Sequence, residues 1–391
     1  MPVTITKEEA GERMAARPPV SIWSALGKER SIGLSVGTAI LFAIFGKAWL
    51  GDLTNPWWVG FMFVWLFGAV LLSAFAVVRH ADCLAIKLGE PYGTLILTLS
   101  VIGMEVMMVS AVMLTGGTEP TLARDTMFSV LMILLNGLFG LALLAGGWRH
   151  GEQQYNLQGA VSYLAMLVPL AMLSLVMPAH VESNVSATLK TARSWTLGLT
   201  SIGLYVVFLA VQTRRHPDFF VEPGRMPLSD EAAEAQEHGH LDVRSTPFHA
   251  VLLLLCLLPV VVLSKKLAVV MDYGVERLGA PVALSGMIVA ILILAPEGMT
   301  AVRAALGNRL QRSVNLLFGA ALTTIALTVP AVIFISLATG LRLTLGLSPA
   351  HQVLLATTLL LSVVTCTTGR TNVLNGFIHL LLFVAYFTLI F

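Results

Sequence analysis

Two glutamates, Glu105 and Glu297, sit deep inside long apolar runs of this chain. A carboxylate at bilayer depth costs roughly 2.5–3.5 kcal/mol on insertion scales, so it persists only with a partner or a task. The segments around the two acids are distant copies of one another. Leu88-Gly89-Glu90-Pro91 opens the first and Leu278-Gly279-Ala280-Pro281 opens the second, with Glu105 and Glu297 following their leucines by 17 and 19 residues. One acid in each half of a duplicated membrane protein suggests a shared site at the repeat interface, where transporters hold ions.

The other oxygens near these acids set the candidate chemistry. Ser100 and Gly103 precede Glu105, and Pro296, Gly298 and Thr300 surround Glu297. Pro296 lacks a backbone donor and Gly298 is a poor helix former, so a helix break is expected at Glu297. Freed carbonyls can line a cavity and, with carboxylates, ligate a hard cation. Asn136 and Thr324 each lie 12 residues after an arginine, Arg124 and Arg312, and so are repeat-equivalent ligand candidates. Ser129 and Asn315 are weaker ones. Asp125 and Glu119 read as solvated acids near a helix start.

The elements that must carry these residues follow from composition. Of 391 residues, 56% are hydrophobic and 12% charged, against about 25% charged in soluble domains. The chain reads as an all-α polytopic membrane protein. Eleven apolar runs are long enough to span: 31–50, 57–78, 93–114, 127–147, 157–177, 195–212, 248–269, 281–303, 313–338, 350–367 and 372–391. None alternates as a barrel strand must. No cleavable signal peptide is expected, because residues 1–30 are polar and charged. Cys83, Cys256 and Cys366 show no metal-ligand spacing, and no basic patch with aromatics indicates nucleic acid.

Lysine and arginine set an expected orientation. With the N-terminus inside, 16 of these residues fall inside and 8 outside, which favours a cytoplasmic N-terminus and an external C-terminus. The expected organisation is a cytoplasmic tail (1–30), an extra transmembrane helix (31–50), a five-helix repeat (57–213), an acidic cytoplasmic loop (214–247) and a second five-helix repeat (248–391). Five spans per copy invert the second relative to the first. Leu122-Ala123-Arg124-Asp125 and Leu310-Gln311-Arg312-Ser313, and tyrosines Tyr205 and Tyr386 in each half's last helix, support the duplication. Asp230–Glu237 in the loop could form a short acidic helix, with His238 and His240 beside it.

These segments resemble the calcium/cation antiporter superfamily, in its cation/proton exchanger branch. Pro296-Glu297-Gly298-Met299-Thr300 with Asn315 and Gly319 is similar to the second alpha-repeat. Pro120 to Ser129 with Asn136-Gly137 is similar to part of the first. Arg149-His150-Gly151-Glu152-Gln153-Gln154-Tyr155-Asn156 resembles a stretch of bacterial calcium/proton exchangers. Many relatives carry Gly-Asn just upstream of each glutamate; here no asparagine adjoins either acid. The resemblance implies a secondary antiporter in a bacterial inner membrane, with the glutamates as the cation and proton site and no cofactor.

The expected reaction is exchange of Ca2+ for protons, with Na+ or K+ for protons as the alternative on the same scaffold. Two carboxylates carry −2, which one Ca2+ or two protons neutralise, and the site crosses only when neutral. An intramembrane enzyme is disfavoured: His379 and Cys366 look isolated, and no HExxH or GxSxG occurs.

Overall fold

The computed structural model describes residues 29–89, 92–114, 120–181, 187–223 and 244–391. The predicted acidic helix at Asp230–Glu237, with His238 and His240, lies outside them, as do Glu90 and Glu119. Eleven helical segments cross in alternation, one for each apolar run. They are α1 (Arg30–Trp49), α2 (Pro56–Leu88), α3 (Tyr92–Met113), α4 (Leu122–His150), α5 (Leu157–Val181) and α6 (Ala187–Ala210, extended by a π turn Val211–Arg215). The second half holds α7 (Thr246–Leu278), α8 (Val282–Leu306), α9 (Leu310–Thr339), α10 (Pro349–Thr365) and α11 (Val373–Ile390). All but α10 are long and apolar enough to cross a bilayer on their own.

Contacts between loops confirm the alternation. On the side where α1 begins, the near side, β1 (Gln153–Gln154) pairs antiparallel with β2 (Arg370–Thr371). Gln153 Nε2 donates to the Ala305 carbonyl at 2.8 Å, and the Asn156 backbone N–H donates to Gln311 Oε1 at 2.6 Å. On the far side, Arg124 donates to the Gly346 carbonyl at 2.9 Å, and the Leu347 N–H to the Leu175 carbonyl. The motif Gln153 to Asn156 therefore staples near-side helix ends of the two halves.

The duplication is visible helix by helix. α2 and α7 each have 33 residues and a proline in the first turn. Each is capped by a glycine of positive φ, Gly89 at 63° and Gly279 at 69°. A left-handed cap suits glycine because no Cβ clashes there. These are the glycines of the two Leu-Gly signatures. The central helix of each half, α4 and α9, is interrupted by a π stretch, Ile133–Leu138 and Thr324–Thr328. A π turn loosens the local ladder and is common at functional sites.

α2 and α7 overrun the predicted windows by about ten residues. The α2 window stops at Arg79 and the α7 window just short of Asp272, but both helices continue. Arg79 pairs with Glu29, and Lys266 lays its stem against Gly46. Apolar side chains face outward along most helices, for example Val64, Leu99, Val206, Leu254 and Leu360. In lipid this is the favourable arrangement, since helices satisfy their own backbone groups. Trp57 and Trp148 stand exposed at opposite ends, as an interfacial aromatic belt requires. The protein is an integral membrane protein.

α4 is the most enclosed helix, and α8 packs tightly across it. A Cβ on Gly286 of α8 would lie 2.8 Å from the backbone of Asp125 and Thr126. Gly286→Ala is expected to destabilise the protein by about 1–3 kcal/mol through overpacking. A thermal melt of the purified protein checks this, with Gly68→Ala, whose Cβ meets nothing within 4 Å, as the control. Equal melting temperatures for the two variants would show that the crossing yields.

Candidate cation site

Glu105 on α3 is buried, 3% exposed. Its Oε2 accepts a hydrogen bond from Thr324 Oγ1 at 3.2 Å. Its Oε1 is buried without a hydrogen-bond partner, and so is Thr328 Oγ1, which lies close to the same carboxylate. Thr324 and Thr328 are the first and last residues of the π stretch of α9. The loosened turn turns both hydroxyls toward the acid of the other half.

Glu297 lies on α8, which touches α3. The residue keeps partial exposure, yet its Oε2 is buried and unpartnered. The two carboxylates are within electrostatic range of each other, and Asp82 of α2 lies within range of Glu297 and of Arg312. Paired like charges of this kind favour uptake of a cation or a proton. Among the described residues no cluster of three or more His, Cys, Asp or Glu could hold a metal.

The predicted break at Pro296 does not occur: α8 is continuous from Val282 to Leu306. A proline in a membrane helix is tolerated when neighbours compensate. Here Thr300 Oγ1 donates back to the Pro296 carbonyl at 3.0 Å, and α8 is clamped by α4 and α9. Gly298 gives room for Leu138, whose Cδ1 would stand 2.6 Å from a Cβ there. Thr300 therefore serves its own helix. Ser100 does the same, donating to the Ile96 carbonyl at 2.6 Å.

Asn136, the repeat counterpart of Thr324, is fully buried on the π stretch of α4. Its Nδ2 donates to Thr358 Oγ1 at 2.8 Å, and its Oδ1 lies 3.3 Å from His379 Nδ1. His379 Nε2 lies 3.1 Å from Thr365 Oγ1. His379 is thus not isolated: it anchors a buried polar chain linking α4, α10 and α11. Ser129 shares a 2.6 Å bond with the Tyr386 hydroxyl and donates to the Asp125 carbonyl. Asp125 is buried and paired with Arg124 at 2.8 Å, not solvated. Asn315 is remote from the acids. It donates to the Phe220 carbonyl at 2.7 Å and accepts from Gln311, on the near side. Of the residues singled out by sequence, only Thr324 bonds a glutamate directly. Thr328 was missed, although its spacing of four from Thr324 puts it on the same helix face.

The two inverted halves of the fold each contribute one acid with a buried oxygen that has no hydrogen-bond partner. The chain belongs to the sodium/calcium exchanger protein family, whose model matches residues 58–214 and 248–391. It is 41% identical over 358 residues to the sodium-potassium/proton antiporter ChaA of Escherichia coli (strain K12), spanning 90% of this chain and 96% of that one. It is 25% identical over 250 residues to a Ca(2+)/H(+) antiporter of Aphanothece halophytica, spanning 61% of this chain and 66% of that one. In fold it is similar to native YfkE, at a TM-score of 0.71 and 19% identity over 92% of this chain and 99% of that one. It is also similar to the H+/Ca2+ exchanger CAX, at a TM-score of 0.64 and 13% identity over 94% of this chain and 89% of that one.

Proposed function

We propose that this chain is a cation/proton antiporter whose site is the Glu105–Glu297 pair, exchanging Na+ or K+ for protons. The observation that carries the reading is the pair itself. Two carboxylates from inverted halves each keep one buried oxygen with no hydrogen-bond partner. Such oxygens are costly unless a cation or proton engages them. A monovalent ion is favoured over calcium by the thin set of neutral ligands. Calcium takes six to eight oxygens, and the amide nearest in the repeat pattern, Asn136, is committed to Thr358 and His379. The 41% identity to a sodium-potassium/proton antiporter supports the same choice.

Calcium is the second reading, favoured by the −2 charge of the pair and by the more distant Ca(2+)/H(+) antiporter relatives. Proton movement in sealed vesicles, driven in turn by Na+, K+ and Ca2+, decides between them. Exchange with Ca2+ alone would overturn the monovalent reading. The excess of Lys and Arg on the near side supports a cytoplasmic near side in a bacterial inner membrane.

Thr324→Val is expected to raise the cation KM by about 10- to 100-fold. It removes a hydrogen bond to a charged group, worth about 1.5–3 kcal/mol, while keeping the side chain's shape. Exchange kinetics at fixed pH measure this. An unchanged KM would show that the hydroxyl only packs.

A further inference from the structure

A second group of titratable residues converges at the near-side ends of α1, α2 and α7, away from the acid pair. Glu29 precedes α1, Arg79 and His80 lie on α2, and His249 lies in the first turn of α7. Both imidazoles are buried, at 1% and 2% exposure. They face each other Nδ1 to Nδ1 at 3.0 Å.

The neighbours fix which atoms carry protons. His249 Nε2 accepts the Arg244 backbone N–H at 2.9 Å, so a neutral His249 carries its proton on Nδ1. That N–H donates to His80 Nδ1. Neutral His80 then carries its proton on Nε2, which lies 3.7 Å from the Glu29 carboxylate and 3.3 Å from Arg79 Nη2. Arg79 also donates to Glu29. Burial opposes ionisation of Glu29, but bonding to His80 and the charge of Arg79 hold it below the usual carboxylate range. Glu29 is therefore an anion at neutral pH. A single proton between the two Nδ1 atoms satisfies both rings across the 3.0 Å contact.

We propose that the His80–His249 pair is a proton-binding site separate from the cation site, and that one extra proton there unlatches α2 from α7. The groups facing the pair decide where the proton goes. Glu29 lies against the far edge of the His80 ring and favours an imidazolium there. Arg79 on α2 and Arg244 before α7 oppose a charge on either ring, and the Cys256 thiol of α7 lies within electrostatic range of Glu29 and Arg79. The free lone pair of His80 is on Nδ1. Protonating it sets two N–H donors face to face across 3.0 Å, and the bond joining the helices becomes a repulsion. α2 and α7 both pack on α3, and α2 also packs on α8. Their separation is therefore transmitted to the helices that carry Glu105 and Glu297.

The test is a distance between nitroxide labels at Ile86 of α2 and Val251 of α7, both exposed, in the full chain reconstituted in lipid. The three native cysteines are buried. Choline buffer without Na+, K+ or Ca2+ makes the result independent of which ion the protein carries. Between pH 8 and pH 5, which spans ordinary imidazole titration, the distance in the wild type is expected to lengthen and broaden. His249→Asn is expected to hold one distance at both pH values. Its amide can donate to neutral His80 Nδ1 and, flipped, accept from protonated His80, so the latch survives acid. A wild-type distance that stays constant from pH 8 to pH 5 overturns the proposal whatever the variant does. So does an equal lengthening in His249→Asn.

Discussion

Glu105→Gln and Glu297→Gln are each expected to reduce exchange to the level of protein-free vesicles, while the protein still inserts and elutes as the wild type. Glutamine keeps the size of the side chain and most of its hydrogen bonding, so folding is spared. It removes one of the two negative charges that hold the ion. At a separation of about 4 Å and an effective dielectric of about 20, one charge is worth about 4 kcal/mol, roughly a thousandfold in affinity. An ion held at millimolar concentration by two acids is not held by one. Glu297→Asp keeps the charge on a shorter stem and is expected to recover part of the rate. Wild-type transport by either glutamine variant would remove that acid from the site.

The second large effect is competition between protons and the cation. A carboxylate must lose its proton before it ligates an ion, so binding the ion releases protons by linkage. In the range where protons compete, KM rises as pH falls. One proton displaced per ion gives about a tenfold rise per pH unit, and two give about a hundredfold. The slope thus reports the charge balance directly. One proton displaced per ion fits Na+ or K+. Two protons fit Ca2+. The sign is the same in both cases: acid weakens cation binding and alkali restores it. A KM that stays flat while the rate changes with pH would mean that protons travel by a route apart from Glu105 and Glu297. Reading KM against pH on the same vesicles also separates this competition from the proposed His80–His249 latch, which acts without any ion.

The features that sequence made legible are those that membrane physics forces into composition. Lipid requires about 20 apolar residues per crossing, and all eleven runs became helices. A buried acid is conspicuous in such a run, which is why Glu105 and Glu297 stood out. The Leu-Gly signatures marked real caps because a left-handed turn favours glycine at Gly89 and Gly279. What was not legible depends on partners distant in sequence. The inner turns of α2 looked too charged for a membrane helix, because the pairing of Arg79 with Glu29 spans 50 residues. Pro296 suggested a break, but packing on α4 and α9 keeps α8 whole. His379 looked isolated, and its partner Asn136 lies 243 residues away. Asn315 sits in a family-like string yet serves the near-side staple. Hydroxyl and amide side chains gave the least reliable signal. A serine or threonine in a helix can always return its bond to its own backbone, as Ser100 and Thr300 do.

As proposed, one pair of acids binds the cation and the proton in exclusion of each other. Ion-induced proton release from the purified protein in weakly buffered detergent solution tests it without vesicles or gradients. Adding Na+ or K+ to the wild type should release about one proton per ion bound, and the Glu105→Gln, Glu297→Gln double variant should release none. Cation binding to the wild type with no proton release, or undiminished release from the double variant, would contradict the account.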